Sequence, residues 1–512
     1  MTAASEAKDG LSPLAVCSII VNACMGMGFL ALPYTSLRVG PLVATAITLG
    51  LGVVALLTGL WTAVSLSLTA AFLRQGGHPP SQNDGCDLDS EVQARTPLLV
   101  EGLVERESAA KEGGMFGLDC SVTYVSMVGL LFGNGGRWAT VAMLSLSFAV
   151  AMWSYAGLVA SSLAAMVPLP LVGGTCDVYA DWLEPDCQMR YLAYLAAFAA
   201  LVVCLSLLRL REQAHFQIAM TVVRMLLVSA ILGDCARMHV LGEAPPHPGA
   251  RGSGHATSES LWEDVNERYD PRRFPTVPEP GHLDLSQVPR HVAMATAALS
   301  VHMVIPEAVH DLARKPSTLL PTVAAALALC CLVYCLVGAA VASTFGEWTR
   351  PVCTLNWVSY TGGQATVDAA ARLLRSVIIL VPVVDVSAAY PILALSLATN
   401  VLSGAGQKVG EGPRWQLLLA CASLPIVGAA FVFDIGKTMG WVGVLLLPLV
   451  FLIPPMLLLR AETLCISAYG VERVHGSLYW RWYCDRRVVW AGLIVGVVIS
   501  LTALSFMLGI AA

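Results

Sequence analysis

The sequence has little charge for its length. Only 13% of its 512 residues are Asp, Glu, Lys or Arg, while 56% are hydrophobic and the mean hydropathy is +0.69. Soluble proteins typically carry about twice that charged fraction. A chain surrounded by lipid explains this composition, whereas a single water-soluble core does not. The net charge of −5 is also too small to indicate nucleic acid as a partner.

The sequence also lacks the motifs of metal sites and common enzymes. None of its 15 cysteines forms a Cys-x-x-Cys pair, so we expect most of them to fill space inside apolar helices. Neither Gly-x-Ser-x-Gly nor His-Glu-x-x-His occurs. The pattern Gly26-x-Gly28-x-x-Ala31 resembles a dinucleotide fingerprint, but no strand precedes it. We therefore expect no enzymatic activity, no metal and no cofactor.

Long apolar runs make up most of the chain. Each must be helical in a bilayer, because backbone N–H and C=O groups find no water in hydrocarbon. Eleven stretches approach or exceed the roughly 20 mostly apolar residues that cross a membrane. In order, these predicted spans are Leu11–Pro33, Pro41–Leu73, Trp138–Val167, Tyr191–Leu208, Phe216–Val240, His291–Ala313, Leu319–Phe345, Ala369–Val401, Trp415–Phe433, Gly440–Leu459 and Val488–Ile510.

The connections between spans predict the orientation and the organisation. Short connections rich in Arg and Lys alternate with poorer ones, which places the N-terminal tail, residues 1–10, in the cytosol and the C-terminus outside. We expect residues 11–401 to form the main helical core, 402–459 its ninth and tenth spans, 460–487 a basic cytosolic loop and 488–512 the last span with the C-terminus outside. Residues 74–118 inside and 241–290 outside are polar, and we expect mobile loops there.

An outer connection, residues 168–190, contains two cysteines. Cys176 and Cys187 lie about ten residues apart, in a compartment that the topology makes oxidising. We expect a disulfide between them.

Two spans contain residues that break helices. Gly26 and Gly28 lie near the middle of the first span, where they favour either unwinding or close helix packing. Pro306 lies in the sixth span, among polar residues, and removes a backbone donor, so we expect the backbone to open around Ile305–Pro306. The two interruptions match if the first ten spans are two sets of five, and paired interruptions of this kind indicate a transporter's binding site at the membrane midplane.

Broken helices expose unpaired backbone groups to a ligand. N–H groups at the start of one half attract a carboxylate, and C=O groups at the end of the other attract an ammonium or a cation. A zwitterionic amino acid satisfies both. The candidate substrate-binding residues are Asn22, Cys24, Met25, Gly26, Met27, Gly28, Ser300, His302, Met303 and Val304.

The order of several short motifs resembles the amino acid/auxin permease family. They are the glycine-broken first span ending in Ala31-Leu32-Pro33, His302 followed by Pro306, and the segment from Gly338 to Phe345-Gly346. A closer similarity, to the transmembrane protein 104-like branch, rests on Thr354-Leu355-Asn356, Tyr390-Pro391-Ile392 and Arg224. The resemblance covers most of the eleven spans. It implies an all-α polytopic membrane protein with a five-plus-five inverted repeat, broken helices 1 and 6, one extra C-terminal helix, and proton- or sodium-driven amino acid transport.

Ionisable groups inside the spans are candidates for coupling, since a charge in hydrocarbon is costly and usually lines a cavity or has a partner. Asp385, in the eighth span, fits either a proton or cation site or an ion pair with Arg224 or Arg375. The resemblance implies that Ser387 and Tyr390 lie near the ion and the substrate. Its members often have Thr near Ser387, and this difference weakens the case for sodium.

The inner half of the sixth span carries a polar group. Glu307 and Asp311 are predicted to form an inner gate or a structural ion pair with Arg314 or Lys315. Glu307 and His310 also match half of a di-iron motif, but that site needs two such motifs.

Two functions fit these observations. One is symport of an amino acid with a proton or sodium ion by alternating access. The other is an amino-acid sensor, which binds its ligand with little flux and signals through residues 74–118 to cytosolic partners. In both cases the lipid bilayer is the constant partner, and either the plasma membrane or an endolysosomal membrane fits.

Overall fold

The computed structural model describes the helical part of the chain and some of its connections. The described residues are 12–26, 28–74, 116–118, 122–169, 174–179, 181–206, 213–242, 284–310, 312, 315–360, 369–404, 415–432, 434–477 and 479–508. The tail 1–10 and most of the two predicted loops, 74–118 and 241–290, lie outside these ranges.

The described residues form α-helices joined by short turns, with no β-strand among them. The helices are α1 Pro13–Cys24, α2 Gly28–Val39, α3 Pro41–Arg74, α4 Tyr124–Met166, α5 Pro185–Ser206, α6 Gln213–Leu241, α7 Val288–Ala298, α8 Ile305–His310, α9 Lys315–Phe345, α10 Ala369–Gly404, α11 Trp415–Phe431, α12 Ile435–Leu447, α13 Ile453–Tyr469, α14 Val471–His475 and α15 Arg486–Met507. A π-helical turn, Pro448–Leu452, joins α12 to α13.

Within the described ranges, eight helical segments are long and apolar enough to cross a membrane, and the bent pair α1 and α2 makes a ninth. Two further segments complete the predicted eleven. One is the apolar helix α11, and the other is the interrupted pair α7 and α8. The protein is therefore an integral multi-pass membrane protein. The predicted fold class is confirmed, with interruptions in the first and the sixth segments and five crossings between their starts.

The largest differences from the predicted spans are at the start of α4 and the end of α13. α4 begins at Tyr124, well before the predicted Trp138, and Gly133 at φ 74° divides it by a kink. α13 continues to Tyr469 instead of ending at Leu459, so the beginning of the predicted basic loop is helical. In both places the additional helical turns contain polar as well as apolar residues. A search for apolar runs therefore does not find them.

The long helix α9 contacts both interrupted segments. It packs against α1, α2, α3 and α6, while α7 packs against α2 and α12. Lipid is as apolar as a leucine side chain, so burial from water does not drive this packing, and close contacts and hydrogen bonds between helices must hold it. The backbone interruptions are thus enclosed by intact helices.

Buried ion pairs fix the connections at one end of the bundle. Arg350, in the connection after α9, lies 2.5 Å from Asp177 of the connection before α5. Trp357 and Tyr360, which follow Arg350, donate hydrogen bonds of 2.7 and 2.5 Å to Asp234 of α6. Burial and the hydrogen bond to Asp234 raise the pKa of Tyr360. Residues 350–360 are therefore tied to two other parts of the protein.

A second buried carboxylate ties the last helix to the bundle. Glu462 of α13 is 1% exposed. Its two oxygens lie 3.0 Å from Arg486 Nε at the start of α15 and 3.0 Å from His475 Nε2 in α14. Arg486 and His475, the two residues that contact this carboxylate, both lie in the predicted basic loop, residues 460–487.

Candidate functional site

The first interruption separates α1 from α2. α1 ends at Cys24, α2 begins at Gly28, and the two axes differ by 56°. A Cβ atom at Gly28 would lie 2.4 Å from the Cβ of Ala298, and one at Gly26 would lie 2.6 Å from Tyr155 Oη. Both possible consequences of these glycines therefore occur together, because the helix is interrupted and neighbouring helices approach it closely. Met27 lies outside the described residues.

The second interruption separates α7 from α8. It covers residues 299–304, and Pro306 is the second residue of α8, not part of the break. The first turn of a helix tolerates proline because its N–H groups have no partner within the helix. The Ser300 hydroxyl donates to Ala297 O at 2.8 Å and so satisfies one carbonyl at the end of α7. The predicted opening at Ile305–Pro306 thus lies a few residues earlier.

The carbonyl ends of α1 and α7 meet at one side chain. The Tyr334 hydroxyl of α9 lies 2.8 Å from Cys24 O and 2.9 Å from Ala298 O. Each of these oxygens belongs to the last residue of its helix. The C-terminal end of a helix carries a partial negative charge of about half an electron. Two such ends converge here on one hydroxyl proton.

A buried ion pair lies beside the first interruption. Arg224 of α6 donates to both carboxylate oxygens of Asp385 in α10, with 2.9 Å for Nε to Oδ2 and 2.9 Å for Nη2 to Oδ1. Arg224 Nη1 also donates to Asn22 O at 3.0 Å and to Asn22 Oδ1 at 2.7 Å. Of the two partners considered for Asp385, the structure therefore selects Arg224. Arg375 donates to Val358 O instead.

The pair joins three helices in surroundings of low polarity. The side chains of Arg224 and Asp385 are only 7% and 12% exposed. Asn22 also accepts a hydrogen bond of 3.0 Å from the Thr221 hydroxyl, one turn before Arg224. Bidentate arginine–carboxylate pairs fix geometry as well as charge. The last turn of α1 is thereby held to α6 and α10.

A small cavity opens beside this pair. Gly26, Phe29, Leu30, Arg224, Leu227, Val381, Pro382, Asp385 and Val386 line it. Its volume is about 10 Å³, which is about enough for one water molecule. An amino acid does not fit there, so this conformation is closed around the interruption.

His302 lies inside the second interruption and is almost completely buried. Its Nε2 is 2.6 Å from the Thr58 hydroxyl, which itself donates to Val54 O at 2.9 Å. The donor between these two groups depends on the tautomer of His302: with the Thr58 proton directed to Val54 O, the imidazole donates from Nε2. Within the described part of the chain, Nδ1 has no hydrogen-bond partner.

The remaining predicted site residues are distributed differently. Ser387 donates to Val383 O of its own helix, and Tyr390 donates to Ala422 O of α11. Met25 is buried at the end of α1, whereas Met303 and Val304 are partly exposed within the second interruption. The Glu307 side chain and all of Asp311 lie outside the described residues.

The predicted cysteine pair lies at the end where Arg350 meets Asp177. Cys176 and Cys187 form a disulfide with their Cα atoms 5.6 Å apart. The adjacent residue, Asp177, is the partner of Arg350. The disulfide therefore closes the connection that holds this ion pair.

Three residues at the site did not attract attention in the sequence. Tyr334 and Thr58 belong to long apolar helices without a break, and Tyr155 lies in α4, well after its kink at Gly133. A buried tyrosine hydroxyl needs a hydrogen-bond partner, so an isolated Tyr inside an apolar run was a usable signal. The identity of its partners requires the three-dimensional arrangement.

Comparisons with known proteins find similar solved structures. No family model matches the sequence, and no curated protein matches it. One similar structure is that of the Eremococcus coleocola manganese transporter in complex with an aromatic bis-isothiourea substituted compound, with 11% identity, 97% of this chain and 86% of that chain covered, and a TM-score of 0.48. Another is Mhp1, a nucleobase-cation-symport-1 family transporter, in a closed conformation with bromovinylhydantoin bound. It has 11% identity, 98% of this chain and 93% of that chain covered, and a TM-score of 0.47. A third is MhsT in complex with L-phenylalanine, with 10% identity, 97% of this chain and 99% of that chain covered, and a TM-score of 0.47. At this level of identity and overlap, these similarities carry no conclusion about the function or the substrate of this chain.

Proposed function

We propose that this protein is a secondary active transporter that moves amino acids across a membrane by alternating access. The observation that carries the proposal is the meeting of two interrupted helices, where Cys24 O and Ala298 O converge on one hydroxyl. Unpaired backbone groups inside a membrane are tolerated where they line a cavity. A binding site that opens and closes is a reason for such an arrangement.

The chemistry of the two interruptions supports a zwitterionic substrate. The C-terminal ends of α1 and α7 favour an ammonium group, and the N-terminal end of α2 favours a carboxylate. Gly28 is the first residue of α2 and has no Cβ atom of its own to shield the start of the helix, although Ala298 packs against it in this closed conformation. The similarity of the sequence motifs to amino acid permeases supports the same substrate class.

The Arg224–Asp385 pair supports proton coupling over sodium coupling. Asn22 O, Asn22 Oδ1 and both Asp385 oxygens are the kind of ligands that a sodium ion would need. All four accept hydrogen bonds from Arg224. Protonation of Asp385 would remove the charge that holds Arg224 to α10. The end of α1, which stays bonded to Arg224 through Asn22, could then move with α6 relative to α10. In this scheme the proton, not a metal cation, controls the movement of the first helix.

Uptake into proteoliposomes tests this proposal. A panel of amino acids is supplied under a pH gradient and, separately, under a sodium gradient, with the native protein and with Asp385→Asn and Ser387→Ala. We expect accumulation driven by the pH gradient, its loss in Asp385→Asn, and its retention in Ser387→Ala, because the Ser387 hydroxyl donates to Val383 O of its own helix.

Each alternative has its own outcome. Accumulation that follows sodium and falls in Ser387→Ala would favour a sodium site on α10. Binding of an amino acid without accumulation under either gradient would indicate the sensor. Proton-driven uptake that is unchanged in Asp385→Asn would remove Asp385 from the coupling step.

A further inference from the structure

The hydroxyl group of Tyr334 lies where the ammonium group of a zwitterion is expected. Cys24 O and Ala298 O both lie within 2.9 Å of this hydroxyl oxygen. The distance between the two carbonyl oxygens is therefore less than twice 2.9 Å. One ammonium group can span this distance with two of its three N–H donors.

One hydroxyl proton satisfies these two oxygens only in part. A hydroxyl has a single donor, so a full hydrogen bond to one carbonyl leaves the other with a weak one. Cys24 O also accepts from the Gly26 N–H at 2.9 Å, a bond between near neighbours in the chain. An ammonium group has three donors and a full positive charge opposite two negative helix ends. It is the better partner for this pair of oxygens.

We propose that Tyr334 is an internal competitor of the substrate, whose hydroxyl occupies the ammonium subsite in the closed conformation and is displaced when an amino acid binds. Tyr334 then sets the affinity for the substrate and keeps the two interrupted helices together in its absence. This inference rests on the proposed function, since it requires a ligand with an ammonium group. It differs from a purely structural role, in which Tyr334 would support the site and its loss would weaken binding.

The test compares Tyr334→Phe with the native protein in purified form. Binding of L-leucine and L-alanine is measured together with binding of isocaproate and propionate, which are the same molecules without the ammonium group. Tyr191→Phe is the matched control, because Tyr191 is also fully buried and donates to one backbone carbonyl, Ala429 O, at 2.7 Å.

We expect Tyr334→Phe to bind the amino acids about two- to tenfold more tightly. This is the effect of one neutral hydrogen bond, from the Tyr334 hydroxyl to the carbonyl oxygens, that the substrate no longer has to displace. Binding of the acids without an ammonium group should not change. In the absence of ligand, amide hydrogen exchange should become faster at residues 24–28 and 299–304 together. Tyr191→Phe should show none of these effects.

Equal or weaker binding of the amino acids by Tyr334→Phe would overturn the competitor role while leaving the transporter proposal intact. If the native protein binds no amino acid, both proposals fail. A fluorotyrosine at position 334 preserves the shape of the side chain in case Tyr334→Phe does not fold. Its more acidic hydroxyl is a stronger donor, so it should weaken amino acid binding, and tighter binding would contradict the competitor role.

Discussion

The Arg224–Asp385 pair gives the largest energetic effect that the structure predicts. Asp385→Asn keeps the size of the side chain and removes its charge. The guanidinium of Arg224 then stays buried, and its remaining acceptors, the oxygens of Asn22 and the amide oxygen at position 385, are all uncharged. Removal of one partner of a buried ion pair costs about 3–5 kcal/mol, because the other charge is left uncompensated. We expect a loss of this size in the free energy of unfolding.

Removal of both charges should cost much less than removal of either. Arg224→Gln alone leaves a buried carboxylate and should also cost about 3–5 kcal/mol. The double variant Arg224→Gln with Asp385→Asn contains no buried charge at this position and should lie within about 2 kcal/mol of the native protein. The double-mutant cycle should therefore be strongly non-additive. Its coupling energy should lie far above the 0.2–1 kcal/mol that is roughly typical of exposed pairs.

The measurement is reversible unfolding of the purified protein in mixed micelles, followed by tryptophan fluorescence. Lys437 provides a control, because it forms a looser pair at 3.6 Å with Asp434 and its side chain is 71% exposed. Lys437→Gln should change the free energy of unfolding by less than about 1 kcal/mol. Additive losses in the Arg224 and Asp385 variants, or single losses as small as that of Lys437→Gln, would refute the reasoning about burial.

Two further predictions concern close packing and thiol reactivity. Gly28→Ala places a methyl group 2.4 Å from Ala298 Cβ. The same unfolding assay should report a loss of about 1–3 kcal/mol, whereas Gly50→Ala, with no atom within 4 Å of the new Cβ, should be neutral or stabilising. Burial raises the pKa of Cys484 to about 12. Peptide mapping after maleimide treatment at pH 8 should therefore find little modified Cys484, because only about one thiol in ten thousand is ionised. Labelling should rise with pH, and the stability that the protonated thiol contributes is lost as pH rises from about 9 towards 12. Rapid labelling at pH 8 would contradict this burial.

The helices and both interruptions could be predicted because the bilayer leaves few alternatives. A long apolar run must be helical in lipid, and glycine or proline inside it marks where the helix is weak. The residues at which each interruption begins and ends are harder to predict. The sequence places Pro306 in the second break, but its fixed φ and missing N–H suit the first turn of α8, so the chain opens before it.

The partners at the site could not be predicted, because they belong to helices far apart in the sequence. Arg224 and Arg375 were equally reasonable partners of Asp385 until the packing of α6 against α10 brought Arg224 to it. Tyr334 lies in an unbroken helix and contacts carbonyl groups of two others. Backbone oxygens have no sequence signature, so a site made partly of them is invisible before the fold is known.

The two contacts that hold the end of α1 differ in strength, and this difference assigns them different tasks in the proposed cycle. Tyr334 holds Cys24 O by a neutral hydrogen bond, worth about 1 kcal/mol. Arg224 holds Asn22, two residues earlier, as part of an ion pair whose disruption costs several times as much. Displacement of Tyr334 by an ammonium group therefore cannot by itself free α1 from α10. In the proposed cycle, protonation of Asp385 releases Arg224 and α1 together from α10, and this step limits the movement. Variants of Tyr334 should accordingly change affinity, and variants of Asp385 should change the rate of transport and its dependence on pH. The reverse pattern in uptake kinetics would show that the ion pair is static and that the hydroxyl controls the movement.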